Sequence, residues 1–410
     1  MPPPTGDRPN PVSKSTARDL EESADFPVFH RVIFARDAML FGQAALVALL
    51  TVAAADSDLE RLLKTIRSVG PEGEGNEEAA RAWKAVVAGG PEALLPTLAA
   101  FDGAAPRAAN WLRSAVDAIA SKGPPDARRL ESFVLETRRD GQARRLAYEW
   151  LSRVDPTAPD RLLPGMIDDP GRELRRDAVA RALVEAEKRL KEGDRGAAGE
   201  AYRRVFASAR ERDQVDAAAK GLRALGFEAD LRAHYGFIGR WVLVASFDNA
   251  QMKGFDTAYE PERKVDLKAA YGGKGGQSAR FVEFSTPDPE GKVDLNAVLG
   301  KEMGAVAYAF AALDSPSGGE AELRVATNNA VKIFLNGREV FFRNEYHHGM
   351  KMDQYPVRVE LRRGRNEVLL KICQNEQKDD WAQGWSFQAR LCDALGGAVP
   401  YTIVTEAPGP

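Results

Sequence analysis

Apolar residues recur along this chain with two different periods, and the change falls near Tyr235-Gly236. Before it they return every three or four positions. In 106–121, Ala108, Trp111, Leu112, Ala115 and Ile119 form one stripe, the spacing of an amphipathic helix. Leu146, Trp150, Leu151 and Val154 repeat it in and just after 142–153. Comparable segments predict helices over 58–69, 77–88, 91–101, 126–139, 159–168, 171–192, 195–210 and 213–225. Gly70-Pro71, Gly89-Gly90-Pro91, Gly123-Pro124-Pro125, Asp155-Pro156 and Asp169-Pro170 separate them. Glycine just past a helix and proline just inside the next are the expected punctuation.

After Gly236 the period drops to two. Ile238–Phe247, Ser278–Phe284, Ala305–Ala312, Ala321–Ala326, Ala330–Leu335, Glu339–Phe342, Val357–Leu361, Glu367–Gln374 and Ser386–Leu391 read as strands. They are short and bounded by Gly, Asn, Asp and Pro, the pattern of an antiparallel sandwich. Asn336-Gly337 is the clearest hairpin signal, because both central positions of a type I′ turn need positive φ. Arg363-Gly364-Arg365-Asn366 marks a second tight turn. The expected class is α+β multidomain: an N-terminal α-helical repeat array (α-solenoid) over 56–235, then an antiparallel β-sandwich (jelly roll) over 236–406.

The N-terminal segment fits neither pattern. Residues 1–38 are proline-rich without periodicity and read as disordered or as a wrongly assigned start. Residues 39–55 carry no charge, follow Arg31 and Arg36, and end Ala53-Ala54-Ala55, as a signal peptide cleaved after Ala55 would. That predicts a secreted or periplasmic protein with no stable membrane span. A retained anchor and a buried helix are the alternatives, and the run is at the short limit for crossing a bilayer.

Composition narrows the function classes. The 410 residues exceed one ordinary domain. Lys plus Arg is 57 against 60 Asp plus Glu, a net charge of -3, which argues against a nucleic-acid partner. Two cysteines exclude a disulfide scaffold and a four-thiolate zinc site. No phosphate-binding loop, HExxH or nucleophile elbow is present, so no catalytic residue, metal ligand or cofactor is assigned. Calcium stays open through Asp248, Asp256 or Asp266, none of which sits in a recognisable calcium loop.

Two resemblances add to this. Leu94-Leu95-Pro96 recurs as Leu162-Leu163-Pro164 at an offset of 68, two units of 34. With basic residues opening the second helix of each unit, 91–121, 126–154 and 159–190 resemble degenerate HEAT-type repeats. Ala201–Phe206 and Ala217–Leu222 look closer to a tetratricopeptide hairpin, and an irregular bundle is the plain alternative. The string Thr327–Val340, then Leu361–Ile372 with its Gly364 and Asn366, is similar to galactose-binding-like jelly rolls. Lys253-Gly254-Phe255-Asp256, Pro261-Glu262 and Tyr271-Gly272-Gly273-Lys274 look like the version found in planctomycete secreted proteins. Such domains accompany glycoside hydrolases and large secreted bacterial proteins, and the motif marks the fold, not the ligand.

In such a sandwich the loops at one end carry the site. Arg343, Asn344, Tyr346, His347 and His348 in one loop, with Trp381 and Gln383 in another, are the candidate ligand-binding residues. They combine an aromatic face with planar polar groups, as a sugar requires. Adjacent His347 and His348 diverge and do not share a metal easily. Trp385 alternates with Phe387 and Ala389 and reads as core. Cys373 and Cys392 are expected to stay unpaired, in a last hairpin turning near Asp379–Asp380, with Cys392 facing outward. The resulting expectation is a secreted, non-enzymatic binding protein engaging a glycan, or an exported protein through its helical repeats. A structural interaction module without sugar affinity and a hydrolase with an unrecognised site are the alternatives.

Overall fold

The structure, a computed structural model, describes residues 57–404. The segments 1–38 and 39–55, with the cleavage site, lie outside the described residues. Helices come first: α1 (57–67), α2 (Asn76–Ala88), α3 (Leu94–Ala99), α4 (Pro106–Ala120), α5 (Ala127–Leu135), α6 (Gly141–Val154), α7 (Ala158–Leu162), α8 (Arg172–Lys191), α9 (Arg195–Ser208), α10 (Arg212–Ala224) and α11 (Leu231–Tyr235). Aspartates start several of them. Asp126 and Asp140 each accept two backbone N–H groups of α5 and α6, and Asp194 and Asp230 accept one each at α9 and α11.

Two expected helices break at proline, which lacks an N–H and cannot continue a ladder from within. The run 91–101 becomes a 3-10 turn, Gly90–Ala93, followed by α3. The run 159–168 becomes α7 followed by a 3-10 turn, Leu163–Gly165. Leu94-Leu95-Pro96 therefore opens a helix, whereas Leu162-Leu163-Pro164 ends one. The echo in sequence is not one in structure.

A continuous core runs through the helices, with Leu98, Leu112, Val134, Leu151 and Leu174 fully buried. Side-chain links join every second helix, α2 to α4, α4 to α6, α6 to α8 and α8 to α10, at separations of some 31 to 40 residues. Trp83 donates to Ser114, Trp111 to Asn76 and Trp150 to Asp117. Arg113 pairs with Glu149, Arg145 with Asp177, Arg172 with Glu211 and Arg176 with Asp213.

The strands are β1 (Arg240–Asp248), β2 (Ala270–Gly272), β3 (Ser278–Arg280), β4 (Val282–Ser285), β5 (Val293–Asp294), β6 (Ala305–Ser315), β7 (Gly319–Thr327), β8 (Ala330–Leu335), β9 (Arg338–Arg343), β10 (Tyr355–Leu361), β11 (Gly364–Gln374), β12 (Ser386–Cys392) and β13 (Thr402–Val404). One antiparallel sheet runs β4-β1-β6-β11-β8-β9 with β13 also on β6; a second runs β10-β7-β12-β5. Trp241, Leu243, Leu370 and Ile372 of the first meet Leu323, Val325, Phe387 and Leu391 of the second in one core. On the outer face of the larger sheet, Phe255 and Tyr271 from the 249–281 segment cover Phe247, Tyr308, Leu369 and Cys373. β6 is thus buried on both faces, which is why its sequence runs apolar without alternation.

The motif asparagines are fasteners. Asn336 and Gly337 have φ of 54° and 77°, as the type I′ turn between β8 and β9 requires. The Asn336 side chain accepts from the Glu367 N–H at 2.9 Å and donates to Asn366 Oδ1 at 3.1 Å. Buried Asn366 in turn donates to the carbonyls of Arg362 and Gly364. The turn at Gly364 connects β10 to β11, which lie in opposite sheets.

The last hairpin of the sequence reading does not form. β11 lies between β6 and β8, whereas β12 lies between β7 and β5 in the other sheet. The segment between them crosses the sandwich instead of turning back. Both thiols are free, on different sheets, with Cys373 opposite Val306 and Ala330 and Cys392 opposite Glu322. Cys392 shares the outer face of β12 with Gln388 and Arg390 but is fully buried rather than exposed to solvent. The face of β12 assigned to solvent is covered: Gln388 donates to the Glu290 carbonyl and Arg390 to that of Tyr235.

Candidate functional site

Tyr346, His347 and Trp381 come together where the ends of β1, β8 and β11 meet. Buried amides build the floor. Asn249, just after β1, donates to the Gln374 carbonyl at 2.9 Å and to the Tyr346 hydroxyl at 3.2 Å. Asn329, just before β8, donates to Gln374 Oε1 at 2.8 Å. Gln374 Nε2 donates to the carbonyls of Ala382 and Gly384 and so fixes the loop that presents Trp381. Asn249, Asn329 and Gln374 are all fully buried, and burial is what makes an unpaired amide costly there. Two acceptors on this floor, Asn249 Oδ1 and Asn329 Oδ1, have no partner among the described residues.

Above the floor, His347 adopts φ 56° and its Nε2 lies 2.7 Å from Asn375 Oδ1. The Trp381 ring meets the His347 ring edge-on, centroids 5.6 Å apart, and Trp381 remains 69% exposed. Tyr346 is half-buried, and desolvation pushes its phenol up to about 12, so it stays a neutral hydroxyl. Asp379 and Asp380 precede Trp381 on the surface and accept from Gln377 and Gln383. The face therefore offers one exposed indole ring, a locked imidazole and carboxylate acceptors. It is open. Walled cavities of the sandwich are lined by other residues, including Asn336, Arg338 and Arg358 in one and Glu320 and Glu322 in another.

The other candidates do not join this face. Arg343 ends β9 and pairs with Glu345 at 2.8 Å, and Asn344 follows it on the surface. His348 turns the other way, its Nδ1 2.9 Å from Gln354 Nε2 and its ring edge-on to Tyr355. Gln383 is occupied within its own loop, donating to the Lys378 carbonyl and to Asp380. Trp385 is fully buried and donates to the Ile372 carbonyl. Sequence reading missed Asn249, Asn329, Gln374 and Asn375. Their signal was available: amide residues standing directly at the ends of apolar strands. No group of three or more His, Cys, Asp or Glu among the described residues is placed to hold a metal ion. No helix among them is long and apolar enough to cross a membrane.

No protein-family model matches the chain, and no curated protein does. Solved structures do. A beta-glucuronidase from an uncultured Clostridium species matches with 14% identity and a TM-score of 0.25, covering 38% of this chain and 29% of that one. A beta-glucosidase from Kluyveromyces marxianus matches with 11% identity and a TM-score of 0.23, covering 37% of this chain and 16% of that one. The PA14 sugar-binding domain from an RTX adhesin matches with 15% identity and a TM-score of 0.23, covering 41% of this chain and 96% of that domain. The chain thus spans less than a third of either enzyme it matches. The expectation of a non-enzymatic protein is corrected here: two of these three neighbours are enzymes by name, and that expectation is withdrawn.

Proposed function

We propose that the chain is an exported protein that engages a carbohydrate through the Tyr346–His347–Trp381 face, with its helices as a HEAT-like platform for an exported protein partner. The carrying observation is Trp381, an indole 69% exposed yet held edge-on by a hydrogen-bonded histidine. A sugar ring stacks its C–H surface on such a face and gives its hydroxyls to neighbouring carboxylates. Links recurring at about one repeat length support the platform reading. The hydrogen-bonded motif asparagines Asn336 and Asn366 support the galactose-binding-like jelly-roll reading of the sandwich.

A glycan array followed by titration calorimetry tests this. Trp381→Ala is expected to weaken the bound glycan at least tenfold while leaving the unfolding midpoint unchanged, because its ring supports little of the core. An array without a single binder, or equal binding by the variant, would sink the reading. Aryl glycosides run beside it decide whether the same face turns sugar over.

A further inference from the structure

A second site lies where the helices meet the sandwich, and it differs in chemistry from the loop face. A cavity of about 480 Å³ opens there, within the range of small-molecule pockets. Six arginines line it against only two carboxylates, Glu211 and Asp353. The carboxylates are already taken. Glu211 accepts two hydrogen bonds from Arg172, at 2.7 and 2.8 Å. Asp353 is shared by Arg390, through two bonds of 2.6 Å, and by Arg324 at 2.7 Å. Arg212 turns away to Glu290.

Two of the six guanidiniums have no carboxylate partner among the described residues. Arg175, only 6% exposed, donates to nothing but the Asp169 carbonyl. Arg210 donates only to the carbonyls of Ala207 and Ala209. Each guanidinium carries five N–H donors, so most of theirs have no acceptor among the described residues. Burial first, then the like charge of Arg210, push Arg175 below its usual range, against an opposing pull from Glu211, Asp169 and Asp393. The Tyr235 ring lines the same wall, and its buried hydroxyl has no partner among the described residues. An oxyanion seated against this wall would take up the spare guanidinium donors in charge-assisted hydrogen bonds.

We infer that this junction cavity binds a small organic anion, a carboxylate or a phosphate ester, held by Arg175 and Arg210. Its body lies against Met352 and Leu395 on the cavity wall. This site stands independently of the loop face, since no residue is common to the two.

Calorimetric titration of the full chain with glucuronate, glucose 6-phosphate and inorganic phosphate, with glucose as the neutral control, tests it. Saturable binding of at least one anion and none of glucose is expected, and the arms separate the carboxylate from the phosphate. Arg210→Gln should weaken that binding at least tenfold. Because Arg210 bonds only to its own loop's carbonyls, this variant should fold even if Arg175→Gln does not. Failure of all three anions to saturate, or unchanged binding by Arg210→Gln, overturns the inference.

Discussion

At the scale of single residues, the helical part is held by charges placed where water is absent. Arg144 and Asp169 have side chains only 1% and 5% exposed and join through two bonds of 2.7 Å. Arg144 Nε also donates to the Val134 carbonyl, and Asp169 accepts the Gly171 N–H. Removing one partner of such a pair strands the other charge in low dielectric, at about 3–5 kcal/mol. Arg144→Met is therefore expected to lower unfolding free energy by that order in urea titration. The double variant Arg144→Met with Asp169→Leu should lose much less, since no buried charge is left. A double variant as unstable as the single one would show that the pair's geometry, not its charge, matters. By contrast, Arg81–Glu78 is more than half exposed, and pairs of that kind contribute little.

At the scale of elements, the short helix α11 carries a pH-sensitive joint. His234 packs against Phe206 and Tyr235, and its Nε2 is buried without a partner. Burial, then the positive charges of Arg210 and Arg390, push its imidazole down to about 4. The unfolded chain takes up a proton near pH 6.5, whereas the folded one does not until about pH 4. Stability is thus full above about pH 6.5 and declines as the pH falls toward about 4, by roughly 3 kcal/mol. Urea midpoints should fall across that window, and His234→Phe should flatten the slope. An equal slope in the variant would place the acid sensitivity elsewhere.

The elements also show what the sequence discloses and what it hides. The type I′ turn at Asn336-Gly337 was legible because positive φ restricts the residues that can sit there. The pairing of β11 and β12 was not, because a crossing between sheets and a hairpin need the same strands and a similar loop. Burial of Cys392 was hidden too, since parity tells which face a residue takes but not what covers that face. Of the candidate site, the aromatic members were visible by type. Their meeting depends on Asn249 and Gln374, which are 125 positions apart.

At the scale of the whole molecule, the helices and the sandwich are joined by backbone as well as side chains. Ile238 N–H donates to the Ala389 carbonyl, and Leu391 N–H donates to that of Gly236. Arg232 donates to the carbonyls of Thr286 and Asp288, and Arg390 to that of Tyr235. The chain between α11 and β1 is in effect a short extra strand on β12, not a free linker. Such a junction couples the two cores, so scanning calorimetry of the chain should give one cooperative transition rather than two. Gly236 is the residue on which this depends. Its φ is 72°, and a Cβ there would lie 2.3 Å from the Leu391 carbonyl oxygen. Neither the conformation nor the space admits a side chain without moving the backbone. Gly236→Ala is therefore expected to loosen the pairing with β12 and to resolve the single transition into two, one for each core. Two transitions already present in the unaltered chain would mean that the helices and the sandwich unfold independently despite these bonds.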